Sequence, residues 1–197
     1  MLRYSAGMPA RQTLPAIWLV TDQRTDAALA AALARLPRGA GLIFRHYHLA
    51  PAERRARFRA VARVARARGI VVAWAGSARE ARAVGADACY GPPGLLARGP
   101  ALPRLATAHS LHELGRAIRA RAGAVLLSPV FPTRSHPGGA VLGPLRFRLL
   151  AARSIVPGIA LGGMTGARAR RLGCGWAAID ALASTAWHRR ATFHSPQ

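Results

Sequence analysis

The chain has 197 residues, enough for one sizeable core, and no stretch approaches the roughly 18 apolar residues of a bilayer span. Its formal net charge is +22, from 29 basic residues that are all arginine against seven acids, so it attracts anions. Two cysteines exclude a disulfide framework and fit a soluble protein of the reducing cytoplasm. Residues 1–13 read as a flexible leader and 14–190 as a single domain.

Ala16–Thr21 is an apolar strand ending at Asp22, followed by an Ala/Leu-rich helix, Ala27–Leu36, with Asp26 as its N-cap. Gly41–Arg45 is the second strand. Pro51–Arg68 is a helix with Phe58, Val61, Val64 and Ala65 at helical spacing and seven arginines on a face expected to meet solvent. Ile70–Ala75 is a third strand, and Ser77 caps a helix through Val84. Ala86–Tyr90 is a fourth strand, followed by an irregular Pro/Gly-rich link. Arg104–Ala108 is the fifth. Ser110 and Glu113 form a capping box for a helix through Ala120. Ala124–Leu127 is the sixth strand. A long Pro/Gly-rich loop, 128–143, precedes a helix begun by Pro144 and running through Ala152. Pro157–Leu161 is the seventh strand, Thr165 caps the next helix, Trp176–Ile179 is the eighth strand, and 181–189 is a closing helix.

Continuous apolar strands alternating with amphipathic helices indicate a parallel sheet covered by helices, and eight such units favour a compact, closed (β/α)8 TIM barrel over an open doubly wound sheet. In such barrels the loops after the strands build the site, and the last two commonly hold phosphate. Gly162 and Gly163 follow strand seven, where glycines let backbone N–H groups approach an anion. The Ser128–Ser135 segment adds Thr133, Arg134 and Ser135 from the strand-six loop, with His136 next to them. Arg45 ends strand two and suits bidentate phosphate binding, its structural alternative being an ion pair with Asp22. Thr107 and His109 end strand five, the histidine being expected to orient the loop through backbone. Asp180 is expected to cap the last helix. His46 and His48 read as surface histidines, and Cys89 and Cys174 as small packed groups. The charge alone raises nucleic acid as a partner, but no aromatic-interleaved basic motif supports it.

The segments Trp18–Asp22, Gly85–Asp87, Thr107–Leu114, Ser128–Thr133 and Ile159–Met164, in this order, resemble the thiamine phosphate synthase/TenI superfamily. The resemblance implies a (β/α)8 barrel that couples a hydroxymethylpyrimidine diphosphate to a thiazole phosphate, releasing pyrophosphate. It also allows a thiazole tautomerase or a non-catalytic phospho-ligand barrel, and a homodimer. It implies that Arg45 and Thr133 act in catalysis. Thr107, His109, Thr133, Arg134, Ser135, Gly162, Gly163, Ile179 and Asp180 would bind substrate or phosphate. The pattern is incomplete. Ile43 and Tyr47 stand where an amide and a lysine flank the strand-two arginine. Ala75-Gly76 replaces an Asn-Asp pair, Leu95 roughly replaces a second metal-binding aspartate, and His136 replaces a lysine. Mg2+ is implied by the family, yet its usual carboxylate ligands are missing, so no metal ligand is assigned.

Overall fold

The structure, a computed structural model, describes residues 14–133 and 138–183. Residues 1–13, Arg134–Pro137 and everything after Ala183 lie outside the described residues. Eight parallel strands close into a barrel in chain order: β1 Ile17–Val20, β2 Gly41–Phe44, β3 Val71–Ala75, β4 Ala88–Gly91, β5 Arg104–Ala108, β6 Ala124–Leu127, β7 Gly158–Ala160 and β8 Gly175–Ala178. The helices between them are α1 Leu29–Arg35, α2 Pro51–Ala67, α3 Ala78–Ala83, α4 Pro93–Leu96, α5 Leu111–Arg119, α6 Gly143–Ala152, α7 Gly166–Leu172 and α8 Asp180–Ala183. The barrel expected from the strand count is thus the fold observed. No helix among the described residues is long and apolar enough to cross a membrane.

Alternation along each strand separates two cores. Outward residues such as Leu42, Phe44, Val72 and Leu127 pack under the helices, where Phe58, Leu114 and Phe147 are buried. Full burial of such a side chain contributes about 1.5–3 kcal/mol. Inward residues fill the barrel: Trp18, Val20, Ile43, Ala73, Tyr90, Leu105 and Leu126. Trp18 is paired in register with Gly41, and a Cβ on Gly41 would lie 2.2 Å from the indole ring. The glycine therefore makes room for the one large ring in the barrel floor, whose Nε1 donates to the Pro15 carbonyl at 2.6 Å.

Several local expectations are corrected. Asp26 does not cap α1. Instead Asp22 caps a 3-10 segment, Gln23–Ala28, by accepting from the Arg24 N–H, and α1 begins only at Leu29. Val64 is half exposed, and Ala62 takes its place on the buried face of α2. The arginine face of α2 is tied down at several points rather than uniformly solvated: Arg57 pairs with Asp26, Arg66 with Asp87, and Arg68 donates to the Leu33 carbonyl. Ser77 and Glu80 form a full capping box on α3. At α5 only half of one exists: Ser110 accepts from Glu113 N–H, but the Glu113 carboxylate reaches past it to His109 N–H at 2.7 Å. Cys89 is buried and Cys174 partly so, both as free thiols.

Candidate functional site

Continuing the inward series of each strand past its last ladder position leads to the C-terminal rim. On β2 the series Gly41, Ile43 ends at Arg45; on β5 Leu105 ends at Thr107; on β7 Ile159 ends at Leu161; on β8 Ala177 ends at Ile179. Two adjoining cavities open there. One, of about 470 Å³, is lined by Arg45, Tyr47, Tyr90, Thr107, His109, Ser128 and Thr133, among others. The other, of about 520 Å³, is lined by Thr133, Gly162, Gly163, Arg168 and Asp180, among others. They share Thr133, Leu161, Gly162 and Ile179. Arg45, Thr107, His109, Thr133, Gly162, Gly163, Ile179 and Asp180 therefore gather at one end of the barrel. Arg134 and Ser135 lie outside the described residues, as does His136.

The glycine pair is shaped by the strand-six loop. Gly162 and Gly163 have φ of +92° and +59°, a region that favours glycine. A Cβ on Gly162 would lie 2.6 Å from the Pro129 Cβ, and one on Gly163 would lie 2.4 Å from the Pro132 carbonyl oxygen. The loop is held against them by Val130 N–H to Leu161 O at 2.8 Å and Phe131 N–H to Gly162 O at 3.1 Å. The carbonyls of this turn are thus used, while the N–H groups of Gly162 and Gly163 have no partner among the described residues. Arg168 lies over the Phe131 ring at 4.3 Å and donates to the Gly163 carbonyl, which places a guanidinium on the wall of the same cavity.

On the β2 side, Arg45 does not pair with Asp22, the structural alternative considered for it. Asp22 is held by Arg24 at 2.8 Å, and that hydrogen bond keeps its carboxyl below the usual carboxylate range. Asp180 opens α8 with its carboxylate 4.0 Å from Arg24. His109 Nδ1 meets the Ser128 carbonyl at 2.5 Å, so the imidazole ties the end of β5 to the start of the strand-six loop.

His46 overturns its reading as a surface residue. It is 1 % exposed and lies parallel to the Phe44 ring, 4.3 Å between centroids. Its Nε2 is 2.8 Å from Asp26 Oδ1, and its Nδ1 is 2.8 Å from the Thr21 hydroxyl. A carboxylate only accepts, so Nε2 carries the proton, and in the neutral ring Nδ1 accepts the Thr21 O–H. Thr21 Oγ1 in turn accepts the Arg45 N–H at 2.9 Å. Burial pushes the imidazole pKa down against the opposing pull of Asp26. Burial alone would raise the Asp26 carboxyl, but hydrogen bonds from Arg57 and His46 outweigh it and hold it low. The chain of bonds fixes the backbone that carries Arg45.

Tyr90 is not among the residues the sequence pointed to, and Tyr47 was seen there only as the replacement of a lysine. Tyr90 is 8 % exposed, and burial pushes its phenol up to about 12, so it stays a neutral O–H donor. The inward alternation Ala88, Tyr90 was the available signal. Tyr47 stacks on Arg54, whose guanidinium lies 4.9 Å from that ring and 3.9 Å from the Trp74 ring.

A family model described as thiamine monophosphate synthase matches residues 105–182, which carry Thr107, Thr133 and the glycine pair. Over that stretch the chain is similar to the thiamine phosphate synthase/TenI superfamily. Among solved structures it is similar to a thiamine phosphate pyrophosphorylase from Pyrococcus furiosus, at 22% identity and a TM-score of 0.72, over 91% of this chain and 92% of that one. It is also similar to the 2-keto-3-deoxy-6-phosphogluconate aldolase of Zymomonas mobilis, at 13% identity and a TM-score of 0.57, over 84% and 81% of the two chains. At these identities the likenesses show a common barrel. No curated protein matches the chain by sequence. Within the superfamily pattern, the positions of the expected metal carboxylates hold Gly76 and the half-exposed Leu95.

Proposed function

We propose that the chain is a transferase of the thiamine phosphate synthase type, joining a hydroxymethylpyrimidine diphosphate to a thiazole phosphate. The observation that carries this reading is the pair of N–H groups at Gly162 and Gly163 that have no partner among the described residues, beside a cavity reached by Arg45, Thr107 and Thr133. Two backbone donors in a turn of positive φ suit a phosphate ester of the thiazole. The adjoining cavity accommodates the pyrimidine, with Ile179 and Leu161 as apolar walls shared by both rings.

The reaction breaks the bond between the pyrimidine methylene carbon and the diphosphate oxygen, and the electron pair leaves with pyrophosphate. The lone pair of the thiazole nitrogen then forms the new C–N bond. Arg45 opposes the charge that grows on the leaving group, and Thr107 and Thr133 supply hydroxyl donors. Arg134 and Ser135 extend that loop in sequence and are proposed to contact the same phosphates. His109 positions the loop through the Ser128 carbonyl. Asp180 is paired with Arg24 and is left without a chemical step.

Mg2+, which the superfamily implies, would neutralise the diphosphate, but the donor set does not suit it. No carboxylate lines the cavity that holds Arg45, and no cluster of three His, Cys, Asp or Glu side chains exists among the described residues. No step is therefore derived through the metal.

Purified protein given both substrates is expected to release pyrophosphate. No turnover together with no binding of thiazole phosphate removes the reading. The absence of a carboxylate from the cavity that holds Arg45 favours one second reading, a thiazole tautomerase or a non-catalytic phospho-ligand barrel. That reading predicts thermal stabilisation by thiazole phosphate without pyrophosphate release.

A further inference from the structure

The β2–β4 side of the mouth has the wrong chemistry for a metal and the right chemistry for a bare oxyanion. Arg45 projects from the inward series of β2 into the cavity, and its guanidinium has no hydrogen bond or ion pair among the described residues. Its neighbours are the Tyr47 ring at 5.8 Å and, through the field it exerts, the Tyr90 phenol and the Asp22 carboxylate, which Arg24 holds. Tyr90 is more than nine-tenths buried, lines the same cavity, and its hydroxyl has no partner among the described residues. The ground behind Arg45, where the superfamily pattern calls for an Asn-Asp pair after β3, is taken by another cation. Arg54 donates to the Arg45 carbonyl at 3.1 Å and to the Ala75 carbonyl at 2.6 Å while held between two aromatic rings.

We propose that Arg45 and the Tyr90 hydroxyl bind a phosphoryl oxyanion of the ligand directly, without a divalent cation. A divalent ion entering this cavity meets a guanidinium and no carboxylate among its described lining residues. A phosphoryl oxygen meets a bidentate cation and a neutral O–H donor, both already partly desolvated. Arg54 acts behind them as a positioning residue, fixing the carbonyl of Arg45. The inference rests on reading the mouth as a phospho-ligand site and assigns how that site handles the charge of a leaving group.

The test is calorimetric titration of the full chain with inorganic pyrophosphate, in EDTA and in excess Mg2+, alongside thiazole phosphate as a separate probe of the glycine pair. The affinity for pyrophosphate is expected to be no more than about threefold tighter in excess Mg2+ than in EDTA, because the ion sequesters free pyrophosphate in solution and finds no ligand on the protein. Tyr90→Phe, which keeps the ring and removes one oxygen, is expected to weaken pyrophosphate at least about fivefold, the cost of a hydrogen bond to a charged group. Thiazole phosphate binding should be retained in that variant and reports an intact fold. A larger gain from Mg2+, or a smaller loss in Tyr90→Phe, overturns the proposal. If pyrophosphate requires Mg2+ while thiazole phosphate binds normally, this inference fails and the phosphate reading stands. If neither probe binds, both fail.

Discussion

The Thr21 hydroxyl lies 2.8 Å from His46 Nδ1 and accepts the Arg45 N–H at 2.9 Å, so a buried imidazole sets the backbone position of the cation at the barrel mouth. The groups facing His46 are Asp26 at Nε2, Arg57 beyond Asp26, and His48, with ring centroids 5.3 Å apart. Burial holds the folded pKa of His46 below its ordinary 6.5. The unfolded chain therefore takes up the proton first. The stability this neutral ring provides is complete above 6.5 and is lost as pH falls through the lower folded value. Protonation also makes Nδ1 a donor and reverses its bond to Thr21. Thermal midpoints measured from about pH 8 to about pH 5 should fall on the acid side, and His46→Gln should flatten that slope while lowering the midpoint throughout. An unchanged slope in the variant assigns the effect to other groups.

Gly163→Ala tests the second cavity. The added methyl would meet the Pro132 carbonyl oxygen at 2.4 Å and the Phe131 Cβ at 2.9 Å, with φ already at +59°. The strand-six loop must move away, at a cost of roughly 1–3 kcal/mol of stability. The displaced amides should also weaken thiazole phosphate at least about tenfold, the value of a charge-assisted hydrogen bond. Denaturant unfolding and calorimetry measure the two effects separately. Normal phosphate affinity in a destabilised Gly163→Ala protein would remove the glycine pair from the phosphate site.

The barrel was readable from the sequence because buried parallel strands appear as continuous apolar runs, and β5 and β6 run over 104–108 and 124–127 as expected. Glycines and hydroxyls after strands five to seven were readable for the same reason: their positions follow from where each strand ends. What escaped was set by packing between distant segments. Asp26 looks like a helix cap locally, yet the approach of β2 and α2 turns it toward His46 and Arg57. His46 looks like a loop histidine until Phe44 and Thr21 enclose it. Tyr90 looks like one more apolar strand residue, because only closure of the barrel aims it into the mouth.

Arg54 is the next test of packing at this rim. Its guanidinium stacks between Tyr47 and Trp74 and ties the carbonyls of Arg45 and Ala75 together. A lysine keeps the charge but loses the planar fork and the stacking, so Arg54→Lys is expected to cost about 1–2 kcal/mol. If Arg54 fixes Arg45, pyrophosphate binding weakens in this variant while thiazole phosphate binding is retained. Equal losses for both ligands would mean that the whole rim has loosened.

The barrel floor offers a prediction about stability alone. Gly41 and Trp18 sit opposite each other in register, and a methyl on Gly41 would fall within 2.2 Å of the indole. Backbone and ring both have to shift, so Gly41→Ala should destabilise by about 1–3 kcal/mol or more, as overpacked cores do. Trp18→Phe alone should also destabilise, since it leaves a void and abandons the Nε1 bond to Pro15. Combined, the smaller ring vacates part of the space that the new methyl needs. The double variant should therefore be more stable than the sum of the two losses allows, by at least about 0.5 kcal/mol of coupling in chemical denaturation. Strict additivity would show that the glycine serves something other than the tryptophan's room.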